Sequence, residues 1–188
     1  MARVRLSLVV IGTILVSVVL PAAPALAATI LVNTTADEFG TGPGCALREA
    51  IEAANQDAAF GGCSAGSGAD TISVPAGTYT LTIPGDDDLN AMGDLDIDSP
   101  QPTTIVGASA RRTIVNGNGL DRVFHLIAPG EATITDLAVT GGDDFEGSDF
   151  GGGGIYNNGV LTLARVAVVN NLARYGAGVA TYTAGSPN

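Results

Sequence analysis

Between Cys45 and Asn55 apolar residues recur at helical spacing. Leu47, Ala50, Ile51 and Ala54 stand at i, i+3, i+4 and i+7, with Arg48, Glu49 and Glu52 turned to the other side. The pattern predicts one short amphipathic helix over residues 46–55. Elsewhere the chain has the period of strands. Thr78 to Ile83 alternates polar and apolar positions as a half-buried strand does, and Asp70 to Val74 forms a second run across the turn Pro75-Ala76-Gly77. Thr29 to Asn33 reads as a strand, and residues 37–44 as a loop leading into the helix.

The downstream half repeats itself. Ala132 to Gly142 aligns without gaps to Leu161 to Asn171 at an offset of 29, so that Ile134, Leu137 and Val139 recur as Leu163, Val166 and Val168. Ile155 and Val179, each behind a Gly-rich triplet, are 24 apart, as are Val115 and Val139. Periods in the twenties built from strands predict a solenoid whose coils stack, each covering the apolar edge of the last. A β-sandwich also has many short strands, but it does not account for gapless recurrence. Inward aliphatic residues should stack in columns, while Asn116, Asn118, Asn157, Asn158, Asn170 and Asn171 occupy turns. The helix is then expected to act as a lid on the open end of the stack.

Residues 1–27 have the layout of a signal peptide: Arg3 and Arg5, an apolar run from Leu6 to Leu20, and Ala25-Leu26-Ala27 before the expected cleavage point. The run is short of the ~20 residues that span a bilayer, and no later segment is long enough. The expected location is therefore outside the cell or at its surface, with no transmembrane segment after the leader. The chain carries a formal −11, with Arg as its only strong base; removing the leader leaves six Arg against 19 Asp and Glu, a formal −13. An acidic chain without a basic cluster is a poor partner for nucleic acid. The 26 Gly raise the question of disorder, and a hydrophobic fraction of 46% answers it, because disordered chains lack the apolar content for a core. In an exported chain, Cys45 and Cys63 are expected to form a disulfide that pins the helix to the stretch after it.

The run Cys45-Ala46-Leu47-Arg48-Glu49-Ala50 resembles the CSLREA domain, with Ala46 at the serine of the family name. The similarity continues through Asp70-Thr71-Ile72, Pro75 to Tyr79, Gly93 to Ile97 and Asn116 to Phe124. The resemblance implies a secreted bacterial protein that continues as a right-handed parallel β-helix of the pectin-lyase-like type. The expected fold is thus an all-β right-handed parallel β-helix solenoid with a short N-terminal capping helix. Its parts are a signal peptide at 1–27, a cap with the first coils at 28–100, and β-helix repeats at 101–188 that break off within a coil.

Asp94, Asp96 and Asp98 alternate with Leu95 and Ile97, which places three carboxylates on the outward face if the aliphatic pair faces the core. Asp86, Asp88, Asn90 and Asp94 supply oxygens of the kind Ca²⁺ takes, although Gly93 comes too late for a calcium loop and no Glu completes it. A solvated acidic face is the competing reading, and Ca²⁺ is the one cofactor considered. Pectin-lyase-like enzymes imply acids that hold a cation or act as acid and base, and a basic side chain that removes a proton. The residues offered for this are Asp94, Asp96, Asp98, Asp143, Asp144 and Arg122, but the local catalytic signatures are missing. His125 lacks a Ser or Cys partner and reads as a strand residue. The residues favour a secreted or cell-surface structural or binding module, adhesive or carbohydrate-contacting, with an extracellular glycan or surface polymer as partner. The alternative is a polysaccharide lyase or glycoside hydrolase acting on acidic glycans. Acids that converge in one groove would favour the enzyme, and a face of scattered Thr, Asn and Gly the binder.

Overall fold

The computed structural model describes residues 26–144 and 151–182; the leader expected over residues 1–27 lies almost wholly outside them, as do residues 183–188. The described chain is mostly strand with one helix. It opens with β1 (Thr29–Leu31) and α1 (Leu47–Asn55) and then makes four passes. The first holds β2 (Asp70–Val74), β3 (Gly77–Thr80) and β4 (Leu95–Ile97), and the second β5 (Thr103–Gly107), β6 (Thr113–Asn116) and β7 (Phe124–Leu126). The third holds β8 (Glu131–Thr135), β9 (Ala138–Thr140), β10 (Asp143–Asp144) and β11 (Ile155–Asn157). The fourth holds β12 (Val160–Ala164), β13 (Ala167–Val168), β14 (Leu172–Ala173) and β15 (Val179–Thr181).

Corresponding strands of successive passes pair side by side, and every pairing is parallel. The sheets run β1-β2-β5-β8-β12, β3-β6-β9-β13 and β4-β7-β11-β15, with a small β10-β14 pair. The repeat offsets of the sequence are strand registers: Ile134 pairs with Leu163, Val115 with Val139, and Ile155 with Val179. One column of aliphatic side chains, Ile30, Ile72, Ile105, Ile134 and Leu163, runs through the first sheet. Its first four members are fully buried. Leu95, Phe124 and Ile155 stack in the same way in the third sheet.

Between strands the chain turns at matched corners. Asp136 and Arg165 are both left-handed, at φ of 59° and 55°, and Arg165 Nε donates to Asp136 Oδ1 at 2.6 Å. Gly130 and Gly159 meet at another corner, where a Cβ on Gly159 would lie 2.2 Å from the Gly130 carbonyl oxygen. Of the asparagines expected in turns, Asn116 and Asn157 instead end the strands β6 and β11, while Asn118, Asn158, Asn170 and Asn171 lie between strands. Their oxygens bond mainly to backbone: Asn116 Oδ1 accepts from Asn118 N–H, Asn157 Oδ1 from Gly159 N–H, and Asn171 Oδ1 from Gly142 N–H.

Helix α1 packs against β1, β2 and β4 through its apolar stripe. A disulfide joins Cys45, just before the helix, to Cys63 after it. The polar side of the helix differs from expectation, because Arg48, Glu49 and Glu52 are buried and not solvated. Two loops wrap that side and supply their partners. Arg48 Nε donates to Asp37 at 2.7 Å, and its terminal nitrogens donate to the carbonyls of Asn90, Gly93 and Asp94. Glu49 accepts from the N–H groups of Ala46 and Thr41. Three-to-four spacing finds the apolar stripe, but it cannot foresee that loops distant in sequence will cover the opposite side.

Candidate functional site

The third sheet, β4-β7-β11-β15, positions the site. Inward residues alternate with outward ones along each strand, so the register that stacks Leu95 on Phe124 and Ile155 also aligns Asp96, His125 and Tyr156 in an outward column. A tilted ring contact joins two of its members, His125 and Tyr156, whose centroids are 5.1 Å apart. The column is buried, because the segments around Asp88, Asp121 and Asp144 fold over it. Between them lies a groove of about 800 Å³, within the usual range of ligand sites. Asp86, Asp88, Asp121, Asp143 and Asp144 contribute carboxylates to its lining, and Arg122, His125, Tyr156 and Tyr182 contribute the rest of its chemistry.

Asp94 and Asp96 do face away from Leu95 and Ile97, but they are fully buried and do not form a solvated acidic face. Arg122 Nε donates to Asp94 Oδ2 at 2.7 Å, which ties the second rung to the first. Burial pushes the Asp94 carboxyl up to about 6, Asp96 nearby adds to the rise, and Arg122 opposes it. Asp121 is likewise raised to about 6, by burial first and then by Asp94. Burial works against the charge on Arg122, yet Asp94, Asp121 and Asp144 outweigh it and hold the guanidinium above its usual value. That guanidinium also sits 5.5 Å from the centre of the Tyr156 ring, within cation–π range.

Asp96 is anchored from below, where the Asn90 N–H donates to its Oδ2 at 2.8 Å. Asn90 stands in the left-handed region at φ 57°, and its side-chain amide donates to the Arg48 carbonyl and Glu52. Its Oδ1 faces the Asp96 N–H. On the groove side His125 Nδ1 lies 3.3 Å from Asp96 Oδ1 and 3.3 Å from Asp88 Oδ1. Burial raises the Asp96 carboxyl above the ordinary range, and His125 works against that rise.

Of the residues picked out by sequence, the groove gathers Asp86, Asp88, Asp143, Asp144 and Arg122, with Asp96 beneath His125. Asp98 is exposed beside Asn55, in a separate depression with Glu52. Of the oxygen set Asp86, Asp88, Asn90 and Asp94, Asp86 and Asp88 line the groove, whereas the Asn90 side chain bonds to the helix and to the Asp96 N–H and Asp94 holds Arg122. Sequence reasoning passed over Asp121 and Tyr156, read Asn158 only as a turn residue, and placed His125 on a strand without a partner. One signal for the pair was present: adding the 29-residue repeat to Asp96 lands on His125. No family model matches the chain, and neither does any curated protein or solved structure.

Proposed function

We propose that the chain is an exported right-handed parallel β-helix, related to the CSLREA-domain proteins, that holds an extracellular glycan in the groove over the third sheet. Support for the coil comes from the four passes in parallel register and from the aliphatic columns they align. The observation that carries the binding reading is the pair Tyr156 and Tyr182 on one groove; the carboxylates that converge there with them favour an enzyme and carry the second reading. Sugar rings stack on aromatic faces through their C–H groups, and carboxylates accept from sugar hydroxyls. With several acids and an Arg122 already engaged by Asp94, the lining suits a neutral glycan better than a uronate-rich one, whose charges it would repel.

Cleavage is the second reading, favoured by Asp121, a groove carboxyl raised to about 6 and so able to donate a proton near neutral pH. Asp143 and Asp144 line the same groove and supply the second carboxylate that glycoside hydrolysis requires. A lyase is less well served, because Arg122 is held in its charged form beside Asp94 and makes a poor base. Glycan-array binding of the secreted chain, paired with an assay for new reducing ends, tests both readings. We expect Tyr182→Ala, at an exposed position, to weaken binding about tenfold, corresponding to a lost stacking contact of order 1.4 kcal/mol. We expect Asp121→Asn to abolish cleavage while leaving binding in place. Absence of binding to any glycan would sink the proposal; binding without cleavage would remove the second reading alone.

A further inference from the structure

The strongest chemistry that the glycan reading leaves unused is the contact between Asp88, Asp96 and His125. The register of β4 and β7 places Asp96 beside His125 on adjacent rungs, and the loop carrying Asp88 brings a second carboxylate to the same nitrogen. One atom from each residue, the two carboxylate oxygens and a ring nitrogen, can be chosen so that all lie within 4.8 Å of one another. We propose that these three residues form a binding site for a first-row divalent cation, best fitted by Zn²⁺. This inference does not depend on the groove holding a glycan.

Three buried atoms argue for it. His125 Nδ1 and Asp96 Oδ1 face each other at 3.3 Å, yet neither has a hydrogen-bond partner of acceptable geometry, and both residues are more than nine-tenths buried. Buried polar atoms left in this way are rare and call for an ion or a proton arrangement that satisfies them. The separation suits an ion: tetrahedral ligands at about 2.0–2.1 Å from Zn²⁺ are roughly 3.3 Å from one another. Both contacts of Nδ1, to Asp96 and to Asp88, have that length.

The surroundings are those of a built site. Asn90 N–H fixes Asp96 Oδ2, leaving Oδ1 as the oxygen turned toward the imidazole. On the far side of the ring, Asn158 Nδ2 lies 3.4 Å from Nε2, while Asn158 Oδ1 is the third buried atom without a partner. Turning that amide by half a turn lets Oδ1 accept from Nε2–H. Nε2 then carries the ring proton, and Nδ1 presents its lone pair to the cation. One ion and one turned amide thus satisfy all three atoms. Asp88, mostly exposed, closes the site from the groove, whose water supplies the fourth ligand. An imidazole nitrogen among so few ligands favours Zn²⁺ over Ca²⁺, which takes a larger shell of oxygens.

The test uses the full-length secreted chain, stripped with a chelator and titrated with Zn²⁺ and separately with Ca²⁺ by calorimetry. We expect one equivalent of Zn²⁺ and no saturable Ca²⁺ binding. Asp88→Asn, at an exposed side chain, should weaken Zn²⁺ at least about tenfold. His125→Gln should abolish it, with circular dichroism to verify that the sheet content is kept. Asp98→Asn, outside the site, should leave it unchanged. Co²⁺ bound in place of Zn²⁺ should give visible absorption bands that His125→Gln removes. If Zn²⁺ gives no saturable heat, or if Asp88→Asn and His125→Gln bind it like the parent chain, the trio is held together by a proton on His125 and the proposal is overturned.

Discussion

Asp121 shows how burial can turn an ordinary surface acid into a titrating group. Its carboxyl lies at the groove beside Arg122, with Asp94 and Asp86 as like-charged neighbours, and is raised from 3.8 to about 6. A carboxyl whose folded pKa is raised binds its proton more tightly in the native state. Its contribution to stability is therefore fully present below pH 3.8 and is lost as pH rises toward 6. Asp121→Asn removes that loss, so the variant should gain on the parent chain between pH 4 and pH 7. Because solvent still reaches part of the group, we expect a gain of about 1–2 kcal/mol. Urea unfolding at the two pH values measures it, and an equal difference at both would show that Asp121 titrates normally. None of this was legible in the sequence, where Asp121 is one acid among 19. Alternation did tell which way Asp94 and Asp96 point. It could not tell that Arg122 and His125, about one repeat further along, would meet them there.

At the scale of strands the sequence said more. The offsets of 29 and 24 are pairing registers, because a gapless repeat of inward residues forces equivalent positions side by side. The helix was legible for the same reason, through its apolar stripe. The loops between strands were not, since their courses depend on partners far away in the chain, as with Asp37, whose carboxylate takes Arg48 together with the N–H groups of Thr82 and Ile83. The column of isoleucines allows a graded prediction. Ile105 has a rung on either side and is fully buried, whereas Leu163 lies in the last described rung and is 38% exposed. Truncating Ile105 to Ala removes packing above and below and should cost about 2–5 kcal/mol, with Leu163→Ala costing less than half of that. Thermal unfolding of the two variants checks the ratio. Equal losses would mean that the column does not share its packing between rungs.

Helix α1 and the groove are mechanically connected through the side chains of Arg48, Asn55 and Asn90. Arg48 projects from α1 to the carbonyls of Asn90, Gly93 and Asp94, so the helix holds the segment that in turn fixes Asp96 through the Asn90 N–H. The Cys45–Cys63 disulfide, with a sequence separation of 18, spans that helix. A closed loop of this length stabilises the native chain by about 3 kcal/mol, chiefly by restricting the unfolded one. Replacing both cysteines by serine should lower global stability by about that amount, but the opening should begin at one end. Hydrogen exchange should show residues 47–55 and 90–96 losing protection first, while β8 and β9, two rungs from the helix, hold theirs until global unfolding. Asp96, which supports His125 from beneath, would then come loose before the Tyr156 wall of the groove does, and ligand binding would weaken under conditions in which most of the sheet is intact. Exchange that accelerates uniformly over all strands would instead mean that helix and strands unfold as one cooperative unit, with the disulfide acting on the whole and not on the helix it spans.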